Sequence, residues 1–226
     1  MSDNSIALLF IKAPIKGKVK SRLAATVGEE AALELYKRFV LDTIETVEKS
    51  GHALRICYHP PDSGKIVSDW LGQKNYAMPQ EGDDLGARME NAFSRVFSEG
   101  FPGAVLIGSD IPDLPSAVFQ EAFESLARSN AVIGQAADGG YYLIGFNRGS
   151  FFPRVFHGIA WSTNTVFRET MAILKGALLR VHIAPERRDV DTLDDLRDLF
   201  ERNRGTAFDK SRTMAYLIRH RERLFP

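Results

Sequence analysis

An aspartate follows one of the most uniformly apolar short runs of the chain. Residues 104–107 are Ala-Val-Leu-Ile, a pattern typical of a strand that is covered on both faces of a parallel sheet. Asp110 follows this run and Gly108, so it is expected at the carboxyl end of the strand, where open α/β sheets bind ligands. A carboxylate there can hold a divalent metal on a phosphate ligand, although an isolated Asp-x-Pro segment more often forms only a turn.

A cluster of basic residues follows the first apolar run, residues 6–11, and contains no acid. Gly17 in this cluster allows the backbone to approach a ligand closely, and the surrounding cations could hold a polyphosphate. The segment is not a Walker loop, because Val19 follows Gly17-Lys18 and the earlier glycine is missing. A solvated loop is the alternative, but clustered like charges repel unless an anion joins them, so we expect a polyphosphate site. The cations are Lys12, Lys16, Lys18, Lys20 and Arg22.

Residues 80–88 form a short polar loop that leads into a predicted helix. Free amide groups and the helix dipole would face a ligand there, and Gln80 could pair with a nucleobase edge. A structural interpretation is equally supported, in which Asp84 caps the helix and pairs with Arg88 four residues later. Both interpretations stay open at this point.

Two further segments carry candidate acids. Asp138, Gly139 and Gly140 would leave room for a bulky ligand beside the backbone, although Asp-Gly is also a strong hairpin signal. Asp189 and Asp191 would face one metal if their segment is extended, because residues two apart in a strand point the same way. The alternative is that Asp191 only begins a helix.

Aromatic and imidazole side chains give weaker signals. Trp161 could contact a ligand, or it could simply pack where a helix begins. The histidines show no metal-ligand spacing and are interpreted as surface or packing residues. They are His52, His59, His157, His182 and His220.

The hydropathy pattern predicts the elements that must position these residues. Strands are expected over residues 6–11, 53–58, 76–78, 104–107, 131–136, 141–146 and 178–183. Helices are expected over residues 29–49, 65–71, 85–98, 116–127, 164–176, 192–202 and 210–224. This alternation predicts an α/β fold, a three-layer α/β/α domain with a mostly parallel, mixed central sheet. One domain would span residues 1–226, with its core over 5–204 and a C-terminal helix over 210–225.

Composition and charge narrow the functional classes. Hydrophobic residues make up 44% of the chain and charged residues 26%, with a formal net charge of zero. This balance argues against non-specific binding to nucleic acid or membranes. Cys57 is the only cysteine, which excludes an intramolecular disulfide and a cysteine metal cluster. The N-terminal apolar run stops at Lys12, too short for a signal peptide or a membrane span, so a cytoplasmic protein is expected.

Six motifs together resemble the nucleotide-diphospho-sugar transferase superfamily, with its glycosyltransferase-A-type sheet. Within it, they are similar to a bacterial transferase family that resembles 2-phospholactate guanylyltransferase. The resemblance covers residues 6 to about 196. The motifs are Lys12-Ala-Pro14 with Gly17 and Lys20-Ser-Arg22-Leu, Asp84-Leu-Gly86-Ala-Arg88-Met, Gly108-Ser-Asp110-Ile-Pro112, Asp138-Gly139-Gly140-Tyr-Tyr, Trp161-Ser-Thr163 and Asp189-Val-Asp191-Thr.

The resemblance implies roles for particular residues. Asp110 and Asp191 match the metal-binding acids, which implies Mg²⁺ or Mn²⁺, and the basic loop matches the triphosphate-binding loop. Lys12, Lys20 and Arg22 are the expected catalytic cations. The residues expected to contact nucleotide or substrate are Pro14, Gly17, Gln80, Asp84, Gly86, Arg88, Asp138, Gly139, Gly140, Trp161 and Asp189.

Two departures from the superfamily pattern leave the reaction type open. Ala13-Pro14 stands where many nucleotidyltransferases have a Gly-rich segment, and Asp110 and Asp113 are three apart, unlike the Asp-x-Asp of many glycosyltransferases. The leading hypothesis is metal-dependent nucleotidyl transfer from a nucleoside triphosphate to a small acceptor, with release of pyrophosphate. The alternative is a glycosyltransferase with a nucleotide-diphospho-sugar donor. The clustered cations favour this alternative less, because a departing nucleoside diphosphate presents less charge to them than a departing pyrophosphate.

A third hypothesis is a nucleotide sensor without enzymatic activity. The final predicted helix could then contact a partner or form a homodimer through its arginines, although a solvated face is the favoured interpretation. These arginines are Arg212, Arg219, Arg221 and Arg223. The presence of all the candidate acids argues against the sensor.

Overall fold

A seven-stranded sheet organises the computed structural model, which describes residues 4–72 and 76–225. The strands are β1 (Ile6–Lys12), β2 (Ala53–His59), β3 (Ala77–Pro79), β4 (Gly103–Ile107), β5 (Ala131–Ala136), β6 (Tyr141–Asn147) and β7 (Val181–Arg187). Their spatial order is β3-β2-β1-β4-β6-β5-β7. Neighbouring strands are parallel, except that β6 runs antiparallel to both β4 and β5. The predicted mixed, mostly parallel sheet is therefore confirmed.

Helices cover both faces of this sheet. They are α1 (Ser21–Val27), α2 (Glu29–Lys49), α3 (Gly64–Leu71), α4 (Leu85–Ser98), α5 (Ser116–Leu126), α6 (Val166–Gly176), α7 (Leu193–Arg202), α8 (Arg212–Arg219) and α9 (Arg221–Leu224). One apolar layer includes Val40 of α2 and Phe119 of α5, and the opposite layer includes Phe93 of α4 and Met171 of α6. The three-layer α/β/α arrangement is thus as predicted. Within the described residues, no helix is long and apolar enough to cross a membrane.

Three elements differ from the sequence prediction, each for a local reason. The segment 12–22 is not entirely a loop, because α1 begins at Ser21 and buries Leu23 against α2 and α7. Strand β7 begins at Val181 rather than 178, because Leu178 adopts a left-handed φ of 60° and is 90% exposed in the turn after α6. The C-terminal helix is divided into a 3₁₀ turn over 207–210, α8 and α9, with the last break at His220.

The topology brings the ends of six strands to one edge of the sheet. Strands β1 to β4 end there, and so do β5 and β7, because β5 runs in the same direction as β4 and β7 is parallel to β5. Since β6 runs in the opposite direction, it begins at this edge. Polar side chains from the strand ends and the segments after them therefore lie at this edge. They belong to Lys12, His59, Gln80, Asp110, Tyr141 and Asp191.

Candidate functional site

A cavity of about 550 Å³ opens at this edge, within the size range of small-ligand sites. Part of its lining is apolar and comes from Phe10, Leu85, Met89 and Leu106. Its charged lining comprises four cations and two acids, which leaves a net charge of +2 and favours an anionic ligand. These charged residues are Lys12, Lys20, Arg22, Arg88, Asp110 and Asp191.

The Lys20 ammonium joins the two acids that were predicted to hold metal. Its Nζ forms ion pairs with Asp110 Oδ1 and, at 3.0 Å, with Asp191 Oδ1, and it donates to the Val190 carbonyl at 2.8 Å. The Lys20 side chain is 3% exposed, against 53% for Asp110 and 23% for Asp191. Burial alone would lower the pKa of Lys20, but the two carboxylates outweigh it and raise that pKa. Asp110 and Asp191 therefore line the same cleft.

The two segments that carry these acids are fixed to each other through the backbone. The Val190 N–H donates to the Asp110 carbonyl at 2.9 Å. Immediately after, Thr192 and Asp195 form a capping box at the start of α7. The Asp191 N–H also donates to the Asp195 carboxylate, at 3.1 Å. Asp191 therefore both precedes a helix and faces the cavity.

Asp191 has a second cationic partner and an acidic neighbour. Arg22, in the first turn of α1, forms an ion pair with Asp191 Oδ2. Burial would raise the pKa of Asp191, but Lys20 and Arg22 together lower it. Burial, followed by the proximity of Asp191, raises the pKa of Asp189 to about 6. Asp189 itself lies beside the acid pair and is not part of the cavity lining.

Several cations of the basic loop form ion pairs with acids from other elements. The expectation that only a bound anion would balance their charge is therefore wrong. Lys16 pairs with Glu30 at 2.5 Å, because α2 begins with acids directly beside the loop. Gly17 adopts a φ of 74° in a turn closed by the Lys18 N–H and the Ile15 carbonyl at 3.0 Å. Gly17 therefore shapes the loop and, like Pro14, lies outside the cavity lining.

Lys12 and Arg88 make one side of the cavity positive, and His59 lies on the same side. Within residues 4–72 and 76–225, neither Lys12 nor Arg88 forms an ion pair with a carboxylate. The Nδ1 atom of His59 is buried without a hydrogen-bond partner in the same ranges. Burial and then the charges of Arg88 and Lys12 lower the pKa of His59, so its imidazole is neutral at neutral pH. This side of the cavity fits the anionic part of a ligand.

Tyr36 anchors Lys12 at the end of β1. The Lys12 N–H donates to the Tyr36 hydroxyl at 2.7 Å, and that hydroxyl donates to the Lys12 carbonyl at 2.9 Å. The phenol also lies near Ser109 and Asp110, and burial raises its pKa. Tyr36 therefore sets the position of the first strand's end relative to the loop that carries Asp110.

The loop at residues 80–88 follows its structural interpretation in most respects. Gln80 is buried, and its Nε2 donates to the carbonyls of Ile11 at 3.2 Å and Cys57 at 2.7 Å, which leaves only Oε1 for a ligand. Asp84 lies outside the cavity lining and caps α4 by accepting from the Ala87 N–H at 2.7 Å. The expected ion pair with Arg88 is wrong, since Arg88 Nε donates to the backbone carbonyl of Asp84 at 3.0 Å.

Gly86 allows close packing behind the cavity. A Cβ at this position would lie 2.5 Å from the Phe156 carbonyl oxygen and 2.8 Å from the Trp161 ring. The Trp161 ring in turn meets Tyr141 edge-on, with 6.3 Å between ring centroids. Gly86 and Trp161 therefore lie outside the cavity lining and support Tyr141, which is part of it.

The Asp-Gly-Gly segment forms the hairpin between β5 and β6. Asp138 Oδ1 accepts from the Gly140 N–H at 2.9 Å. Gly139 adopts a φ of 90°, and a Cβ there would lie 2.2 Å from the Asn164 carbonyl oxygen. Tight turn geometry and contact with the segment before α6 thus explain this motif, and all three residues lie outside the cavity lining.

Eight polar or aromatic cavity residues were missed by the sequence analysis. His59 was assigned to the surface or packing residues, which the structure corrects, and Tyr36 was not assigned to the site at all. Ser109 and Tyr141 stand beside motif residues, and that adjacency was the available signal. Ser162 has a left-handed φ of 67°, a feature that its sequence does not indicate. The eight are Phe10, Ser21, Tyr36, His59, Ser109, Tyr141, Tyr142 and Ser162.

The donor set at Asp110 and Asp191 fits a hard divalent cation. One oxygen of each carboxylate contacts the same atom, Lys20 Nζ, so both reach a single point that a positive charge occupies. Within the described part of the chain, no group of three His, Cys, Asp or Glu side chains could hold a metal ion. A pair of carboxylates suits Mg²⁺ or Mn²⁺, which commonly take their remaining ligands from phosphate and water.

Solved structures share this fold. The chain is similar to a crystal structure from Desulfovibrio desulfuricans G20 described as a "putative nucleotide-diphospho-sugar transferase", with 40% identity over 98% of this chain and 97% of that chain and a TM-score of 0.95. A CMP:2-keto-3-deoxy-manno-octonic acid synthetase complexed with CTP has 11% identity, covers 88% and 99% of the two chains, and has a TM-score of 0.56. Rv0371c of Mycobacterium tuberculosis H37Rv complexed with manganese has 18% identity, covers 88% and 98%, and has a TM-score of 0.55.

The two distant structures show the fold alone, while the first shows close kinship. No curated protein matches the chain. The match at 40% identity supports an enzyme of the transferase kind. Residues 42–163 match the family described as "Uncharacterized protein conserved in bacteria (DUF2064)". The chain belongs to this bacterial family, and its fold is that of the nucleotide-diphospho-sugar transferases.

Proposed function

We propose that the protein is a metal-dependent transferase that moves a nucleotidyl group from a nucleoside triphosphate to a small acceptor. The observation that carries this proposal is the combination of charges in one cavity. Asp110 and Asp191 converge on one point, while Lys12 and Arg88 have no carboxylate partner among the residues that the structure describes. A metal-bound polyphosphate matches both groups of charges, because the two carboxylates suit the metal and Lys12 and Arg88 suit the phosphates.

The reaction forms a bond between an acceptor oxygen and the α-phosphorus of the donor. The bond from that phosphorus to the bridging oxygen breaks, and pyrophosphate leaves with the electron pair. Lys12 and Arg88 bind the departing phosphates, and the neutral His59 ring lines the same side of the cavity. Asp110 and Asp191 would hold Mg²⁺ or Mn²⁺, which neutralises phosphate charge when bound. The apolar wall and Tyr141 exclude water from part of the cavity.

The related structures support the two ligands of this proposal. One structural neighbour was crystallised with CTP and another with manganese. Since Gln80 has only its Oε1 available, base recognition through this residue would require a donor group on the base.

Glycosyl transfer from a nucleotide-diphospho-sugar is the second candidate. The description of the Desulfovibrio desulfuricans protein, which shares 40% of its residues with this chain, favours it. The same carboxylates and cations would then face a diphosphate, and nucleoside diphosphate would leave. The net charge of +2 in the cavity is the reason to place the triphosphate first.

A thermal-shift screen with and without Mg²⁺ or Mn²⁺ distinguishes the two donors, followed by product analysis with pooled phosphorylated acceptors. A ligand at about 100 times its Kd should stabilise the fold by roughly 2.7 kcal/mol. Metal-dependent pyrophosphate release from a triphosphate supports the proposal. Binding of nucleotide-sugars alone, with nucleoside diphosphate as the only product, would replace it with glycosyl transfer. Absence of binding by either class would refute both.

A further inference from the structure

Lys20 occupies the point at which its two acidic partners converge. Its ammonium has three acceptors, namely Asp110, Asp191 and the Val190 carbonyl, which matches the three protons that it can donate. The side chain is 3% exposed, and the Phe39 ring lies 5.7 Å from Nζ. Lys20 is thus a buried partner of the acid pair with all its hydrogen bonds made. The sequence analysis had expected it to be an open phosphate ligand, which is wrong for this structure.

The local backbone holds Lys20 in this position. Lys20 adopts a left-handed conformation, with φ 47° and ψ 48°, immediately before α1. A non-glycine residue in this region is uncommon and is kept there by its surroundings. The next two residues begin α1, whose Arg22 contacts the other oxygen of Asp191. The turn into α1 therefore delivers two cations to one acid pair.

We infer that Lys20 is a built-in counter-cation of Asp110 and Asp191, so that the protein takes up its divalent cation together with a polyphosphate and not before it. This inference rests on the proposed function, since it concerns the order in which the metal and donor bind. Lys20 and Arg22 balance the two carboxylates, so a free divalent cation meets a site with no net attraction. The same cation must compete with Lys20 Nζ for Asp110 Oδ1 and Asp191 Oδ1.

A polyphosphate removes this balance in two ways. Its negative charge at Lys12 and Arg88 restores the attraction for a divalent cation, and its oxygens offer the Lys20 ammonium new acceptors. The metal and the polyphosphate should therefore bind with positive coupling, each raising the affinity for the other by the same factor. The direct attraction between metal and phosphate contributes to this coupling in any case, so the part that depends on Lys20 is the part that is lost when its charge is removed.

The test measures Mn²⁺ binding by electron paramagnetic resonance, first without any nucleotide. Lys20→Met keeps an apolar stem of similar length and removes the charge, while Lys18→Met is a matched control at an exposed position of the same loop. We expect wild type and Lys18→Met to bind Mn²⁺ alone equally weakly, and Lys20→Met to bind it about tenfold more tightly or better. Lys20→Gly, which suits the left-handed backbone, provides a second variant without the ammonium.

A second arm repeats the wild-type titration with inorganic tripolyphosphate present, corrected for Mn²⁺ binding to tripolyphosphate in solution. Tripolyphosphate should raise Mn²⁺ affinity by about tenfold or more in wild type and by less in the Lys20 variants. Equal Mn²⁺ affinity in folded Lys20→Met, Lys20→Gly and wild type would overturn the inference, as would wild type binding Mn²⁺ equally well with and without tripolyphosphate. The wild-type arm decides the matter if both variants fail to fold. The proposed function fails separately, if no nucleoside triphosphate yields pyrophosphate.

Discussion

Removing the charge of Asp191 should destabilise the fold mainly by leaving a buried ammonium with too few partners. In Asp191→Asn, Lys20 keeps Asp110 and the Val190 carbonyl but loses one full negative charge at 3.0 Å. Breaking a buried ion pair costs about 3–5 kcal/mol, and the remaining partners reduce this to about 2 kcal/mol here. For a chain of this length, that corresponds to a fall in Tm of about 4–8 °C.

The decisive comparison is the double variant Lys20→Met/Asp191→Asn, measured by urea unfolding. Removing the ammonium as well removes the cause of the instability, so this variant should regain about 1 kcal/mol over Asp191→Asn alone. Arg22→Met/Asp191→Asn is the matched control, because the Arg22 side chain is 67% exposed and its charge can return to water. We expect no recovery in that control. A Lys20→Met/Asp191→Asn protein that is less stable than Asp191→Asn would refute this account of the buried charge.

Four further predictions concern the cavity and its support. Asp110→Asn should keep the fold and abolish metal-dependent pyrophosphate release, and an Asp110→Asn protein that still releases pyrophosphate would contradict the metal assignment. Lys12→Met should weaken triphosphate binding by about tenfold, as measured by calorimetry. Because the folded state lowers the pKa of His59 below 6.5, the unfolded chain binds its proton more readily, so stability should fall as pH drops through that value. His59→Gln should show a smaller fall in urea midpoint between about pH 7.5 and 5.5, and an equal fall would assign the effect elsewhere. Gly86→Ala should displace Trp161, destabilise the fold by about 1–3 kcal/mol and change tryptophan fluorescence, whereas unchanged emission would show that the ring does not move.

Local sequence patterns predicted the positions of Asp110 and Asp191 well, because those positions are set by the elements directly beside them in the sequence. Asp110 follows an apolar run, and Asp191 stands before a capping sequence, so both could be assigned to the carboxyl edge of a sheet. The sheet itself was predicted for the same reason, since buried strands of this class contain little besides apolar residues. The limits of β7 were less accurate because Leu178 takes a left-handed turn conformation that its side chain does not favour.

Partners that are distant in sequence account for most of what could not be predicted. The absence of acids in the basic loop suggested free cations, yet Glu30, Asp110 and Asp191 reach Lys16 and Lys20 from other elements. The sequence did not indicate that His59 belongs to the site. Its buried Nδ1 and its nearness to the charges of Lys12 and Arg88 arise only when the sheet is assembled.

The contact between Lys20 and Asp191 joins residues 171 positions apart, and this separation affects the order in which a growing chain can acquire its interior. Lys20 emerges from the ribosome early, when neither acid exists, so its ammonium must stay hydrated until the last strand and α7 have docked. Contacts at such long separation also make folding slow. A chain interrupted before Asp191 would therefore display a loose basic loop and no partial activity. The site is therefore completed only after Asp191 has been synthesised and has docked.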